Sequence, residues 1–434
     1  MKRIILITLL IIICSLYYFP LALNALPSLN SKMVLAVMGL VFFAWDHMKH
    51  KSPVIRRDIF PVLLLGLLFS LSSYFSVVYN ATSDFVFATY FVSMCVWLGG
   101  AYCVVFLLKK MYGVVTFETV FLYLAFVCAG QCVVAVLIDN ISALENFVNT
   151  VFVGAGEEYF EKNPRLYGIG AGFDTAGIRF SCVLLGLAFL IKKETAAVRK
   201  NFYIFLFLII GIIGNMVSRT TVVGLAVGCV YMLIMSGAWL RARITSRNLL
   251  FCIGLCVLLI LLYRVGVYMY DTMPGVRKAF DYGFEGFINL YETGEFSTHS
   301  SDLLLSHITD IYPDNTKTWF IGDGYFADPY NPNAFYMGTD MGYIRYIFYC
   351  GLLGLSIFLA YFICSTYVLC RHDKKMRPFF ICLLIVQLIV WIKIPTDIFC
   401  FYALLLLSDY NETVVKNGIS TDRLDVAMKN CKSL

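Results

Sequence analysis

The chain has 434 residues, 60% of them hydrophobic and only 14% charged, with a mean hydropathy of +0.78. A soluble protein of this length needs a larger polar shell, and a net charge of +6 with no basic cluster on a polar domain excludes a nucleic-acid surface. Repeated apolar runs of about 20 residues, each long enough to cross a ~30 Å hydrocarbon core as a helix, assign the class: an all-α, polytopic membrane helix bundle.

Met1, Lys2 and Arg3 precede an apolar run to about Leu23 with no small-residue cleavage pattern after it, which reads as an anchored first helix. Further spans are expected at 29–45, 59–79, 85–108 and 114–138. After a polar loop they resume at 176–191, 201–217, 219–238 and 248–268. A long polar loop, 269–340, then leads to spans at 341–369, 378–392 and 396–408. The reading is about twelve transmembrane helices in one membrane domain, 1–434, with the long loop between the ninth and tenth. No fixed-period repeat and no low-complexity tract interrupts it.

Alternating the spans gathers the basic connectors around 49–57, 109–110, 192–200, 241–247 and 371–377 on one side, with Lys2, Arg3 and the 409–434 tail. The positive-inside rule makes that side the cytoplasm. Both termini are then cytoplasmic, and the two long loops, 139–175 and 269–340, are external. Neither loop contains any of the 15 cysteines, so no disulfide framework is expected there.

On the external side four arginines stand at helix ends. Arg179 lies in FDTAGIRFS, Arg219 in GNMVSRTTVVG, Arg264 closes the helix entering the long loop, and Arg345 opens the helix leaving it. Arg165, Arg277 and Lys393 join from loop positions. A single interfacial arginine ordinarily snorkels to lipid headgroups. Several on the side the positive-inside rule disfavours point to an anionic ligand, because arginine near hydrocarbon costs a few kcal/mol unless paired or wet. Guanidinium matches phosphate bidentately, so such a ring fits a pyrophosphate. The external acids form no D-x-D pair and no EF-hand spacing, so neither a metal nor another cofactor is expected.

Asp340, five residues before Arg345, and Asp174, five before Arg179, both fit helix N-caps. Either also stands where a carboxylate can take the proton of an acceptor hydroxyl. His299 is a further candidate base, whereas His307 reads as a solvated loop histidine. The loop aromatics, Trp319, Tyr325, Phe326, Phe335 and Tyr336 among them, either stack on sugar rings or pack the loop onto the bundle. GIGAG at 168–172 reads as a turn.

Three stretches carry a family resemblance: RLYGIGAGFDTAGIRFS (165–181), GNMVSRTTVVG (214–224) and IGDGYF with TDMGYIRYIFYCGLLGL (321–355). They resemble bacterial surface-polysaccharide polymerases of the O-antigen polymerase (Wzy) type, within the wider Wzy and O-antigen ligase superfamily. The resemblance covers most of the chain in layout but only these segments in residues. It implies a GT-C-like glycosyltransferase of the bacterial cytoplasmic membrane that joins undecaprenyl-pyrophosphate-linked repeat units, donor and acceptor, at the periplasmic face. The implied pyrophosphate ligands are Arg219 first, then Arg179 and Arg345; membrane lipids, a chain-length regulator and a flippase are the implied partners. Ligases of the superfamily carry a His-Asn pair where this chain has Thr339-Asp340, which counts against a ligase. The ligase, passing glycan to another acceptor, stays open, as does a transporter of a lipid-linked or anionic substrate. A transporter is expected to carry charge near mid-membrane, whereas these spans place nearly all charge at their ends.

Overall fold

The computed structural model describes residues 2–50, 57–153, 165–236, 260–261, 264–295, 297–298, 301–302 and 311–409. In chain order the helices are α1 (Lys2–Tyr18), α2 (Ser31–His50), α3 (Phe60–Tyr79), α4 (Tyr90–Tyr112), α5 (Phe117–Asn140), α6 (Ser142–Val151), α7 (Phe173–Lys193), α8 (Ala197–Val217) and α9 (Thr221–Ser236). Then come α10 (Pro274–Thr293), α11 (Thr316–Phe320), α12 (Gly342–His372), α13 (Arg377–Lys393) and α14 (Phe399–Leu407). A two-stranded hairpin, β1 (Ala22–Leu23) with β2 (Leu26–Asn30), joins α1 to α2.

Among the described residues eight helices are long and apolar enough to cross a membrane: α2, α3, α4, α5, α7, α8, α12 and α13. This is a polytopic helical membrane protein. Of the other expected spans, the first and the one at 219–238 appear as the shorter apolar helices α1 and α9, and 248–268 lies largely outside the described residues. The last, α14, has nine residues, about 14 Å of helix. That is half a hydrocarbon core, and it is buried along its length from Phe399 to Leu406. The centre of the bundle is α7, apolar nearly all round with 78% of its apolar window buried, against 17% for α2. On α2, Val37, Leu40, Val41 and Trp45 form an exposed apolar face of the kind that lipid covers.

Lysines end α4 and α7, Arg371 ends α12 and Arg377 begins α13. Lys193 pairs with Glu118 in the first turn of α5, and His372 with Asp58 just before α3. These termini therefore share one end of the bundle. The opposite end, the site end, is where α7 begins, and it carries α6, α10 and α11.

Two helix breaks shape the site end. In α12 the backbone leaves helical geometry at Gly351, with φ 66° and ψ −176°. The carbonyls freed there are taken up by the Gly322-Asp323-Gly324 turn: Asp323 N donates to Phe348 O (2.6 Å) and Gly324 N to Tyr349 O (3.1 Å). Ser76 Oγ donates to the same Tyr349 O (2.7 Å). A Cβ at Gly351 would collide with the backbone of Phe320 and Ile321, and its φ disfavours any side chain. Gly351→Ala is therefore expected to cost about 3 kcal/mol or more. A thermal melt in detergent checks this, as a fall of several degrees in Tm.

The second break separates α13 from α14. Ile394 to Ile398 run as non-helical chain, yet Asp397 lies within electrostatic reach of Arg179, which is well inside α7. Irregular backbone at membrane depth persists only where the protein itself meets its polar groups. Here Gln387 Nε2 and Trp391 Nε1 both donate to Thr396 O (2.8 and 2.6 Å). Gln387 Oε1 accepts from Ile398 N (2.9 Å).

Candidate anion site

Arg179 lies six residues after the start of α7, about 9 Å along the axis. It is flanked by fully buried Ile178 and Phe180, and the Tyr18 hydroxyl donates to its carbonyl (2.8 Å). Its guanidinium stands over the rings of Phe19 (5.8 Å) and Trp97 (5.7 Å) and reaches the Cys400 thiol. Lys32, in the first turn of α2, places Nζ over the same Trp97 ring at 4.7 Å. Two cations from separate helices thus share one indole. Neither makes an ion pair within 4.0 Å among the described residues. Asp397 acts on both electrostatically from the α13–α14 break. A ring face returns about 0.5–2 kcal/mol to a cation, less than the several kcal/mol that removal from water costs an ion. Lys32 and Arg179 together carry one charge more than Asp397, the carboxylate facing both.

A second group of charges forms the rim. Ser218, Arg219 and Thr220 alone join α8 to α9. Asp174, in the first turn of α7, accepts at Oδ1 from Ser218 Oγ (2.8 Å) and Thr220 Oγ1 (2.7 Å), and faces Lys393 Nζ at 3.5 Å. It is not the expected N-cap. Gly172 holds that position without a side-chain bond, and the carboxylate turns to two hydroxyls and an ammonium, which bind it more strongly than helix N–H groups alone. Arg165, also within electrostatic reach of Asp174, lies over Tyr282 at 4.8 Å, and Arg219 over the same ring at 4.2 Å. Arg219 is ion-paired with Glu285 (2.5 Å). Tyr282 and Glu285 belong to α10 in the long loop, which is also pinned by Asn215 Nδ2 donating to Gly283 O (2.6 Å). The loop helix therefore lies across the α8–α9 turn and covers two arginines.

Arg345 has a different setting. It is 4% exposed, and its guanidinium is held between the rings of Phe326 (3.7 Å) and Phe335 (4.0 Å), with Nη2 donating to Phe326 O (2.8 Å). Asp84 Oδ2 accepts from Phe326 N (2.7 Å) and Ala327 N (3.1 Å). Arg345 and Asp84 thus clamp the second half of the long loop onto the bundle. Tyr336 donates to Asp323 Oδ2 (3.3 Å) in the same loop, and burial together with that carboxylate pushes its phenol up to about 12. These aromatics pack the loop.

Asp340 lies half-buried within reach of Arg345, but it does not cap α12 either. Met341 is the N-cap, and its N–H donates to the nearer Thr339 Oγ1 (3.2 Å). Arg264 heads a helical stretch, 264–272, with its side chain exposed. His299 and His307 lie outside the described residues. GIGAG folds as a turn, Gly168 N donating to Ala171 O (2.7 Å).

The structure thus brings Arg165, Arg219 and Asp174 together at the rim and sets Arg179 deeper. Lys32 and Asp397 join Arg179 there, and neither is singled out by the sequence reading. Lys32 reads as the ordinary start of a span. Asp397 reads as the edge of one, although a proline and a lone carboxylate in IPTDI, inside an apolar run, signal a broken helix and a buried charge. The class is a polytopic helical membrane protein with cations turned inward at one end. Comparison with family models, with curated proteins and with solved structures gives no match.

Proposed function

We propose that this protein is a membrane glycosyltransferase that polymerises oligosaccharide repeat units carried on undecaprenyl pyrophosphate, with the site end facing the periplasm. The observation that carries the reading is the convergence of Lys32 and Arg179 on Trp97, inside the bundle and without an ion pair among the described residues. An anion brought in on a lipid reaches such a seat along the membrane. Cations at the scissile bond are what transfer from a pyrophosphate requires, because charge develops on the leaving oxygen. Arg165, Arg219 and Lys393 add three cations against Asp174 and Glu285 at the rim, and Lys32 and Arg179 add two against Asp397. The excess of two positive charges suits a diphosphate. Arg345 is assigned to holding the loop.

One observation favours a second reading. A discontinuous helix with charged side chains beside the break is also how transporters hold ions and anionic substrates, and Asp397, Arg179 and Lys32 stand at such a break. Deleting the gene separates the possibilities. The polymerase reading expects glycan of single repeat units. Carrier-linked polymer that is never passed on indicates a ligase, and repeat units that never reach the outer face indicate a transporter.

A further inference from the structure

Asp397 is accounted for neither by packing nor by the anion seat alone. Its Oδ1 accepts from Phe399 N (2.8 Å), which starts α14. The Tyr90 hydroxyl also lies close to the carboxylate. Lys32 from α2 and Arg179 from α7 face the carboxylate on the anion-seat side, with the Cys400 thiol beside them. Three tyrosines face it from α4 and α12: Tyr90, Tyr346 and Tyr361, which are 7%, 0% and 0% exposed.

Tyr90 lies close enough to the Asp397 carboxylate and to Tyr361 to interact with both, but none of the three hydroxyls makes a hydrogen bond of good geometry among the described residues. A buried hydroxyl without a partner costs about 1–3 kcal/mol. One such group is unremarkable in a large bundle. Three within reach of one carboxylate, next to two cations without an ion pair among the described residues, make a polar place that oxygen-bearing groups from outside the chain would complete. Phenols donate readily and Asp397 accepts, so the set suits a ligand that both offers and takes hydrogen bonds, as sugar hydroxyls do.

We propose that the α13–α14 break is the acceptor subsite and that Asp397 accepts the proton of the attacking sugar hydroxyl. The assignment rests on the glycosyl-transfer reading above. In the step, the acceptor O–H proton passes to the Asp397 carboxylate as the oxygen forms a new bond to the anomeric carbon of the donor. The bond from that carbon to the pyrophosphate oxygen breaks, and its electron pair stays on the phosphate, against Arg179 and Lys32. Asp397 then loses its proton to the departing diphosphate or to water. No oxidant, reductant or further reactant enters. Having the proton acceptor and the cations on the same break places both within reach of one anomeric centre.

The test uses the full chain in lipid nanodiscs, supplied with carrier-linked repeat units extracted from cells lacking the gene. Asp397→Asn keeps an acceptor oxygen for Phe399 N and so preserves the cap. It is expected to lower kcat on the order of 100-fold, with binding of undecaprenyl pyrophosphate within a few-fold of wild type. Asp397→Glu is expected to recover part of kcat and to move the acidic limb of the pH–rate profile. An Asp397→Asn protein with wild-type kcat and an unchanged acidic limb overturns the assignment. So does a loss of kcat matched by loss of undecaprenyl pyrophosphate binding and left unrestored by Asp397→Glu, since that marks a purely structural group. Wild-type protein that binds no undecaprenyl pyrophosphate overturns the glycosyl-transfer reading itself, and this assignment with it.

Discussion

Replacing Arg179 by alanine is expected to leave the protein in the membrane and reduce its glycan product to single repeat units. The guanidinium stands over Trp97 with Lys32 and has no ion pair among the described residues. Its removal takes away a half-buried charge, and Asp397, the carboxylate facing it, keeps Lys32 and the bond from Phe399 N. Stability should therefore hold or rise, with a Tm no lower than wild type, while transfer falls on the order of 10²–10³-fold, as when one donor to a developing oxyanion is lost. Arg179→Lys keeps the charge but not the two-pronged donor and should fall between the two. Chain length on a gel, read beside a melt of the same variants, distinguishes this from a fold defect, in which the two quantities decline together. Groups that function at a cost to the fold have this signature.

The second large effect concerns the rim, where Arg219 and Glu285 form an ion pair between the α8–α9 turn and the loop helix α10. If Arg219 only anchors α10, then Arg219→Ala and Glu285→Gln are equivalent, each deleting the same pair. On the proposed function they differ. Arg219→Ala should abolish long glycan chains, whereas Glu285→Gln frees the guanidinium for phosphate and should leave chains long. Asn215 and Tyr282 still hold α10 in that variant. Normal chain length in Arg219→Ala removes this arginine from the site.

The class of fold was legible because hydropathy alone carries it: each of the eight long apolar helices falls on an expected span. The finer architecture was not. A nine-residue helix such as α14 and the run Ile394–Ile398 before it lie in one apolar stretch, and hydropathy does not register the break. What makes that break tolerable is contact from Gln387 and Trp391, a tertiary fact with no local signature beyond proline and aspartate. Arginines near helix ends could be found by position, but their environments could not. Arg345 and Arg179 look alike in sequence, yet one is clamped between Phe326 and Phe335 while the other shares Trp97 with a lysine from more than a hundred residues away. The two carboxylates expected to cap helices failed to do so for a common reason. Side-chain partners or a nearer hydroxyl, brought in by folding or by one residue of register, took the bonds a cap would have made.

The central claim is that Lys32 and Arg179 together hold the diphosphate of a lipid carrier. Its most direct test is a titration of undecaprenyl pyrophosphate and undecaprenyl monophosphate into nanodiscs containing the wild-type protein or the Lys32→Met/Arg179→Met variant. Wild type is expected to bind the pyrophosphate at least tenfold more tightly than the monophosphate, and the double variant to lose this preference while still giving a cooperative melt. Equal binding of the two lipids by wild type, or a preference that survives loss of both cations, would contradict it.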